Sequence, residues 1–194
     1  MLEAGTRLVT LVGTGGVGKT RLAIELADGL EPVWLVDLTS ASGVRAAAEA
    51  TLRVTDLVSA LRGGSPVIVL DNCEHLVEPV AELVGLLLST APRLRVLATS
   101  QESLAIPGET LHVVDPLGLP GGEDPQALRE SPAVQLFMAR AVAAAPGFVL
   151  DEESAPWVSA ICRHLDGLPL ALELAAARIR GLGARGLAER LDDR

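Results

Sequence analysis

An α/β fold built on a parallel sheet, followed by a small all-helical domain, is the architecture this chain predicts. Three observations carry that expectation. The octapeptide Gly13-Thr14-Gly15-Gly16-Val17-Gly18-Lys19-Thr20 lies between a strand-like and a helix-like segment. Short, continuously apolar runs then alternate with amphipathic ones, as in a parallel sheet covered on both faces. From Asp115 onward the strand signals vanish and helical spacing takes over. The core must be aliphatic, because 49% of the 194 residues are apolar but only 2% are aromatic and none is tyrosine.

The elements follow in order. Arg7-Leu8-Val9-Thr10-Leu11-Val12 reads as a buried strand, and Leu22, Ala23, Leu26 and Ala27 keep helical spacing up to Gly29. Val33-Trp34-Leu35-Val36-Asp37-Leu38 is a second strand, and a less regular helical stretch covers about 44–61. After the break at Gly63-Gly64-Ser65-Pro66, Val67-Ile68-Val69-Leu70 forms a third strand that ends in Asp71. Val77, Val80, Ala81, Val84, Leu87 and Leu88 trace one face of a helix. Residues 94–98 and 111–114 supply the fourth and fifth strands. The proline-, glycine- and acid-rich stretch that begins at Asp115 reads as a linker, so the expected organisation is a nucleotide-binding domain over 1–116, a linker over 117–130 and a helical domain over 131–194. In that domain Ser131-Pro132 is expected to cap the first helix. A second helix carries Val158, Ile161, Cys162 and Leu165. A third, over 170–180, is apolar nearly all round and expected to be buried, and a short helix covers 185–191.

The octapeptide fits G-x-x-x-x-G-K-[ST], the P-loop. Gly13, Thr14, Gly15, Gly16, Val17 and Gly18 form a loop whose backbone N–H groups can turn inward around phosphate oxygens. The Thr20 hydroxyl can ligate Mg²⁺, and the following helix adds its positive N-terminal end. Lys19 is the only lysine beside fifteen arginines. A compact ammonium can follow the β- and γ-phosphates where a planar guanidinium is too wide. Arg21 either approaches the α-phosphate or points to solvent.

A P-loop protein that uses Mg²⁺ needs an acid at the end of a nearby strand, and Asp71 occupies that place, with capping of the next helix as the alternative. Hydrolysis needs a further group to orient water. The residue after Asp71 is Asn72, so the candidate is Glu74, which could equally be a solvent-facing acid of a first helical turn. Cys73 and Cys162 have no metal or redox spacing and read as buried free thiols. A net charge of −9 without basic clusters argues against direct nucleic-acid binding by this segment. No apolar run can span a bilayer and the N-terminus is no signal peptide, so a cytoplasmic protein without membrane contact is expected.

Four segments together resemble one family: Leu11-Val12-Gly13 through Leu22-Ala23, Leu70-Asp71-Asn72-Cys73-Glu74-His75-Leu76, Leu97-Ala98-Thr99-Ser100-Gln101-Glu102, and Asp166-Gly167-Leu168-Pro169-Leu170-Ala171-Leu172-Glu173. They are similar, in family order, to motifs of the NB-ARC-type (STAND) signal-transduction P-loop ATPases. Within that family they resemble the ATPase core of actinobacterial AfsR/LuxR-type transcriptional regulators. The resemblance implies a five-stranded parallel sheet in which another strand separates the P-loop strand from the Asp71 strand. It implies a helical domain that closes over an adenine nucleotide, with Pro169 against the base. It further implies a switch that rests with ADP, changes shape or assembly with ATP, and hydrolyses slowly to reset. The family has arginine where this chain has Gln101, at the position that senses the γ-phosphate. An amide supplies no charge there, which impairs ATP discrimination and hydrolysis and leaves ADP binding intact. The family also continues into a winged-helix domain after the point where this chain ends, so the chain reads as the core of a larger regulator. Two other classes use the same P-loop, a small-molecule kinase and a nucleotide-inert interaction module. GTP is disfavoured, because the Asn-Lys-x-Asp guanine motif needs a second lysine.

Overall fold

The computed structural model describes residues 6–192. It forms two compact units, one up to Val114 and one from Asp115 onward. The first unit runs β1 (Leu8–Val12), α1 (Lys19–Ala27), β2 (Val33–Asp37), α2 (Val44–Leu52), α3 (Leu57–Leu61), β3 (Val67–Asp71), a 3-10 turn (Cys73–His75), α4 (Val77–Thr90), β4 (Arg95–Ser100) and β5 (Glu109–Val113). The five strands form one sheet in the order β2-β3-β4-β1-β5, and every pair is parallel. Strand β4 therefore separates the P-loop strand from the Asp71 strand, as the resemblance implied. This is the α/β fold of P-loop ATPases.

Side chains of a strand alternate between the two faces of its sheet. Val9, Leu11, Val69 and Leu97 accordingly bury one face against Ala23 and Ala27 of α1. Leu8, Ile68, Leu70, Val96 and Ala98 bury the other, together with Val80, Leu83, Val84 and Leu87 of α4. Each fully buried leucine or valine contributes roughly 1.5–3 kcal/mol, so these aliphatic layers hold the sheet without aromatic side chains. Strand β3 is buried along its whole length, whereas the edge strand β5 is mostly exposed.

The helical stretch at 44–61 divides in two. Arg53 adopts the left-handed region (φ 56°), which ends α2, and the Asp56 carboxylate accepts from the Val58 and Ser59 N–H groups to start α3. The fourth and fifth strands run over Arg95–Ser100 and Glu109–Val113 and so depart by a few residues from the expected ranges.

The second unit holds α5 (Pro125–Leu128), α6 (Pro132–Ala144), α7 (Ala155–His164), α8 (Pro169–Ala176) and α9 (Ile179–Asp192), the last kinked at Gly183. Phe137, Val158, Ile161, Leu172 and Ile179 centre its core. The structure draws the boundary differently from the sequence, because the stretch expected as a linker packs on these helices. The Leu117 N–H donates to the Gly167 carbonyl (3.0 Å), Ser159 Oγ to the Gly122 carbonyl (2.9 Å) and Arg163 to the Pro120 carbonyl (3.2 Å). Ser131 does not cap α6 through its side chain; its hydroxyl donates to the Gly118 carbonyl instead (2.8 Å). Helix α8 is shorter than expected and buried on one side only. Leu172, Ala175 and Ala176 face the core while Leu170 and Leu174 are 52% and 60% exposed.

Candidate nucleotide site at the carboxyl edge of the sheet

In a parallel sheet all strands end on the same edge, and register decides which ends are neighbours. Val12 pairs with Ser100 and Leu70 with Ala98. The P-loop after β1, the end of β4 and Asp71 at the end of β3 are therefore three adjacent exits from the sheet.

The P-loop is built by steric necessity. A side chain at Gly13 would place its Cβ 2.7 Å from the Val114 carbonyl oxygen, inside van der Waals contact. Gly18 lies at φ 102°, where a side chain is strained. Helix α1 begins at the next residue, and no side chain caps its N-terminal N–H groups. An uncapped helix start offers those donors and the positive end of its dipole to an anion. Lys19 is only 8% exposed, and its ammonium donates to the Gly13 and Thr14 carbonyls (2.8 and 3.1 Å). The charge is thereby held over the loop. Arg21 is exposed on α1.

Asp71, also 8% exposed, gathers the edge together. Its Oδ1 accepts from the Thr20 hydroxyl (2.7 Å) and from the Thr99 hydroxyl (2.6 Å). Those are its partners, and no helix-capping bond to a backbone N–H is among them, so the capping alternative is not realised. Thr99 Oγ1 in turn accepts from the Asn72 N–H (2.9 Å), so one buried hydroxyl ties β4 to β3 just beyond the last paired residues. Sequence reasoning gave Thr99 no role. Its signals were a hydroxyl near the end of a strand and a place in the Leu97–Glu102 segment of the resemblance, and its contact depends on a register that only the fold reveals.

Beyond Asp71 the chain turns sharply. Asn72 sits in the left-handed region (φ 67°, ψ 52°) and leads into the 3-10 turn that carries Glu74. The Gln101 amide donates to Glu74 Oε1 (3.0 Å), while Glu74 Oε2 is buried without a partner. Glu74 is thus half-buried at the sheet edge, and it is not the solvent-facing residue of the alternative reading. Cys73 is buried, and burial, with the Asp71 and Glu74 charges behind it, pushes its thiol up to about 12. Burial likewise raises Cys162 to about 12, so both thiols are unreactive at neutral pH.

The structure thus brings together the loop of residues 13–18, Lys19, Thr20, Asp71, Glu74 and Gln101. Pro169 belongs to the second unit, at the start of α8. No group of three or more His, Cys, Asp or Glu side chains that could hold a metal ion occurs among the described residues. A cleft of ≈ 500 Å³ in the second unit is lined by Phe148, Trp157 and Arg185 among others. Of its charged groups, Arg185 pairs with Glu189 (2.8 Å) and Asp151 accepts from the Ser154 N–H (2.9 Å).

No family model matches the chain. It is 41% identical over 207 residues to a Mycobacterium tuberculosis protein named "Putative HTH-type transcriptional regulator", an alignment that takes in 99% of this chain and 22% of that protein. A second, uncharacterized M. tuberculosis protein is 33% identical over 210 residues, covering 100% of this chain and 51% of the relative. The chain therefore spans about a fifth to a half of the length of these curated relatives. Among solved structures it is similar to a signal transduction ATPase with numerous domains (STAND) that has a tetratricopeptide-repeat sensor, from Pyrococcus horikoshii. That match has a TM-score of 0.53 and 17% identity, and covers 86% of this chain and 27% of that one. The AAA domain of FIGL-1 in complex with ADP gives a TM-score of 0.53 and 16% identity, over 100% of this chain and 65% of that one. PCH-2 of C. elegans gives 0.55 and 12%, over 97% and 61%. At these identities the likeness is one of fold.

Proposed function

We propose that this chain is the ATP/ADP-binding switch module of a larger regulator, of the NB-ARC type. One observation carries the reading. The Lys19 ammonium, the Thr20 hydroxyl and the Asp71 carboxylate meet at one sheet edge, where α1 begins with no side chain on its first N–H groups. In this reading the loop of residues 13–18 cradles the β-phosphate, Lys19 neutralises the β- and γ-phosphates, and Arg21 reaches the α-phosphate. The donor set suits Mg²⁺, since a hydroxyl and a carboxylate oxygen already 2.7 Å apart are hard oxygen donors. Thr20 and Asp71 would hold that ion, which supplies charge neutralisation to the phosphates. Glu74 faces the same edge as the acid that orients water, and turnover is slow. Pro169 would lie against adenine when the second unit closes.

The module works through the other domains of its regulator or through self-assembly in the cytoplasm, and does not contact nucleic acid directly. The M. tuberculosis relative with a helix-turn-helix name supports the regulator context, and the net charge of −9 supports a reading in which any DNA contacts of such a protein are made outside this span. Thermal unfolding with ADP and ATP, with and without Mg²⁺, tests the reading. Ligand at a hundred times its dissociation constant stabilises the wild type by about 2.7 kcal/mol. The Lys19→Ala variant is expected to lose that shift while it keeps its ligand-free melting temperature within a few degrees. An unshifted wild type would sink the proposal.

A further inference from the structure

Aromatic side chains are scarce in this chain, two tryptophans and two phenylalanines, yet one of each meets in a single cleft. The cleft of ≈ 500 Å³ lies wholly within the second unit, between the loop after α6, the first turns of α7 and the kink of α9 at Gly183. Phe148 and Trp157 are half-buried against the helical core, so each leaves part of its ring to solvent. The loop that carries Phe148 is fixed from within. Ser154 Oγ donates to the Val149 carbonyl (2.9 Å) and accepts from the Asp151 N–H (3.0 Å), while the Ser154 N–H donates to Asp151 Oδ1 (2.9 Å). The bonds from Ser154 hold the Asp151 carboxyl below its ordinary range, which keeps it charged at neutral pH. Glu153 adds a second, exposed carboxylate to the lining. Of the residues that line the cleft one is basic, Arg185. Its guanidinium lies over the Trp157 ring, 5.6 Å from the centroid, and its Nε donates to Glu189 Oε1 (2.8 Å). The Arg185 side chain is 72% exposed, a loosely held cation on a ring that attracts one. One guanidinium thus stands against three carboxylates, those of Asp151, Glu153 and Glu189.

A second concavity, of ≈ 290 Å³, shares Val149 as a wall and has Val134, Met138 and Leu150 in its lining. Its polar side chains turn to the backbone, Arg129 to the Leu150 carbonyl (2.9 Å) and Gln135 to the Arg129 carbonyl (2.8 Å). What it offers a ligand is aliphatic. We propose that the two concavities dock an extended segment of a partner protein, with an arginine side chain in the aromatic cleft and an aliphatic side chain in the smaller one. The incoming guanidinium replaces Arg185 over Trp157 and pairs with Asp151 and Glu153, while Arg185 stays with Glu189. Excess acid selects a cation, and the ring selects guanidinium over ammonium, because the planar, weakly hydrated group stacks. In an extended segment, side chains on one side lie two residues apart, so the arginine and the aliphatic residue sit at i and i+2, astride Val149. A free small cation would need only the first concavity. All of these residues belong to the second unit, and the inference is independent of the nucleotide reading.

Calorimetric titration of the full chain with the acetylated and amidated peptide Gly-Arg-Ala-Leu-Gly tests it, with one peptide bound per chain as the expected result. Lysine in place of the peptide's arginine should weaken binding about threefold, through the lost stacking. Alanine in place of its leucine should weaken binding about tenfold. On the protein, Trp157→Leu should abolish binding, and Glu153→Gln should weaken it about twofold. The discriminating variant is Arg185→Ala, which removes the internal competitor and should strengthen binding about twofold to fivefold. Glu153 and Arg185 are exposed, so those two variants keep the fold even if Trp157→Leu does not. A wild type that does not bind the peptide would overturn the inference, as would an Arg185→Ala affinity no higher than that of wild type. Equal affinity for the arginine and lysine peptides would overturn it too. Acetyl-arginine amide that binds as tightly as the peptide would replace the docking surface with a small-cation site.

Discussion

At the scale of single residues, the site depends on which oxygen each hydroxyl and ammonium can reach. Thr99 shows this best, because its one hydroxyl donates to Asp71 and accepts from the Asn72 N–H. Thr99→Val keeps the shape and removes both bonds, one of them to a charged acceptor worth about 1.5–3 kcal/mol. Asp71 would then keep only the Thr20 hydroxyl. ATP affinity in the presence of Mg²⁺ is expected to fall about tenfold, with ADP affinity without Mg²⁺ unchanged and Thr99→Ser close to wild type; nucleotide titrations with and without the metal check it. Equal losses with and without Mg²⁺ would mean that Thr99 supports the strand end and not the acid. What the sequence made readable at this scale were residues whose chemistry is contiguous, such as the octapeptide and the acid that closes an apolar strand. The Thr99–Asp71 and Gln101–Glu74 contacts stayed hidden, because each joins residues 28 or 27 positions apart through cross-strand register.

At the scale of elements, β4 does the organising, and the Glu109 carboxylate anchors the middle of the loop after it. Glu109, at the start of β5, accepts from Ser103 Oγ (2.6 Å) and from the Leu104 N–H (2.9 Å). Burial raises its pKa, but the Ser103 and backbone hydrogen bonds outweigh that and leave it below the usual carboxylate range. A carboxyl lowered on folding stabilises the fold above its unfolded pKa of about 4.3, and that contribution disappears as the pH falls through the folded value. Glu109→Gln is therefore expected to melt lower than wild type at pH 7, with the gap closing as the pH drops below about 4. A gap of the same size at both ends of that range would show that the carboxylate charge is not what anchors the loop. Strand and helix alternation was legible throughout the first unit because the periods differ. The division of 44–61 was not, since it turns on Arg53 adopting a left-handed conformation that its residue type does not announce.

At the scale of the molecule, a P-loop unit is followed by a small helical unit, and composition foresaw both but misplaced the seam. Proline and glycine over 117–130 suggested a free linker. Composition does not say where backbone carbonyls find donors, and here Ser131, Ser159 and Arg163 supply them. The exposed Leu170 and Leu174 of α8 were misjudged for a related reason, since an apolar helix reads as buried whether or not the chain covers both its sides. The relatives carry this same span inside longer proteins, and the proposed nucleotide site at the P-loop is what a functional test of the span has to address. Calorimetric titration of the chain with ADP addresses that site directly, with Lys19→Ala and Lys19→Arg as controls. One ADP bound per chain by the wild type, and none by either variant at the same concentrations, is the expected result. Arginine should fail because a planar guanidinium does not fit a slot in which the ammonium donates to two loop carbonyls. Equal binding by all three proteins, or by none, would contradict a phosphate site built around Lys19.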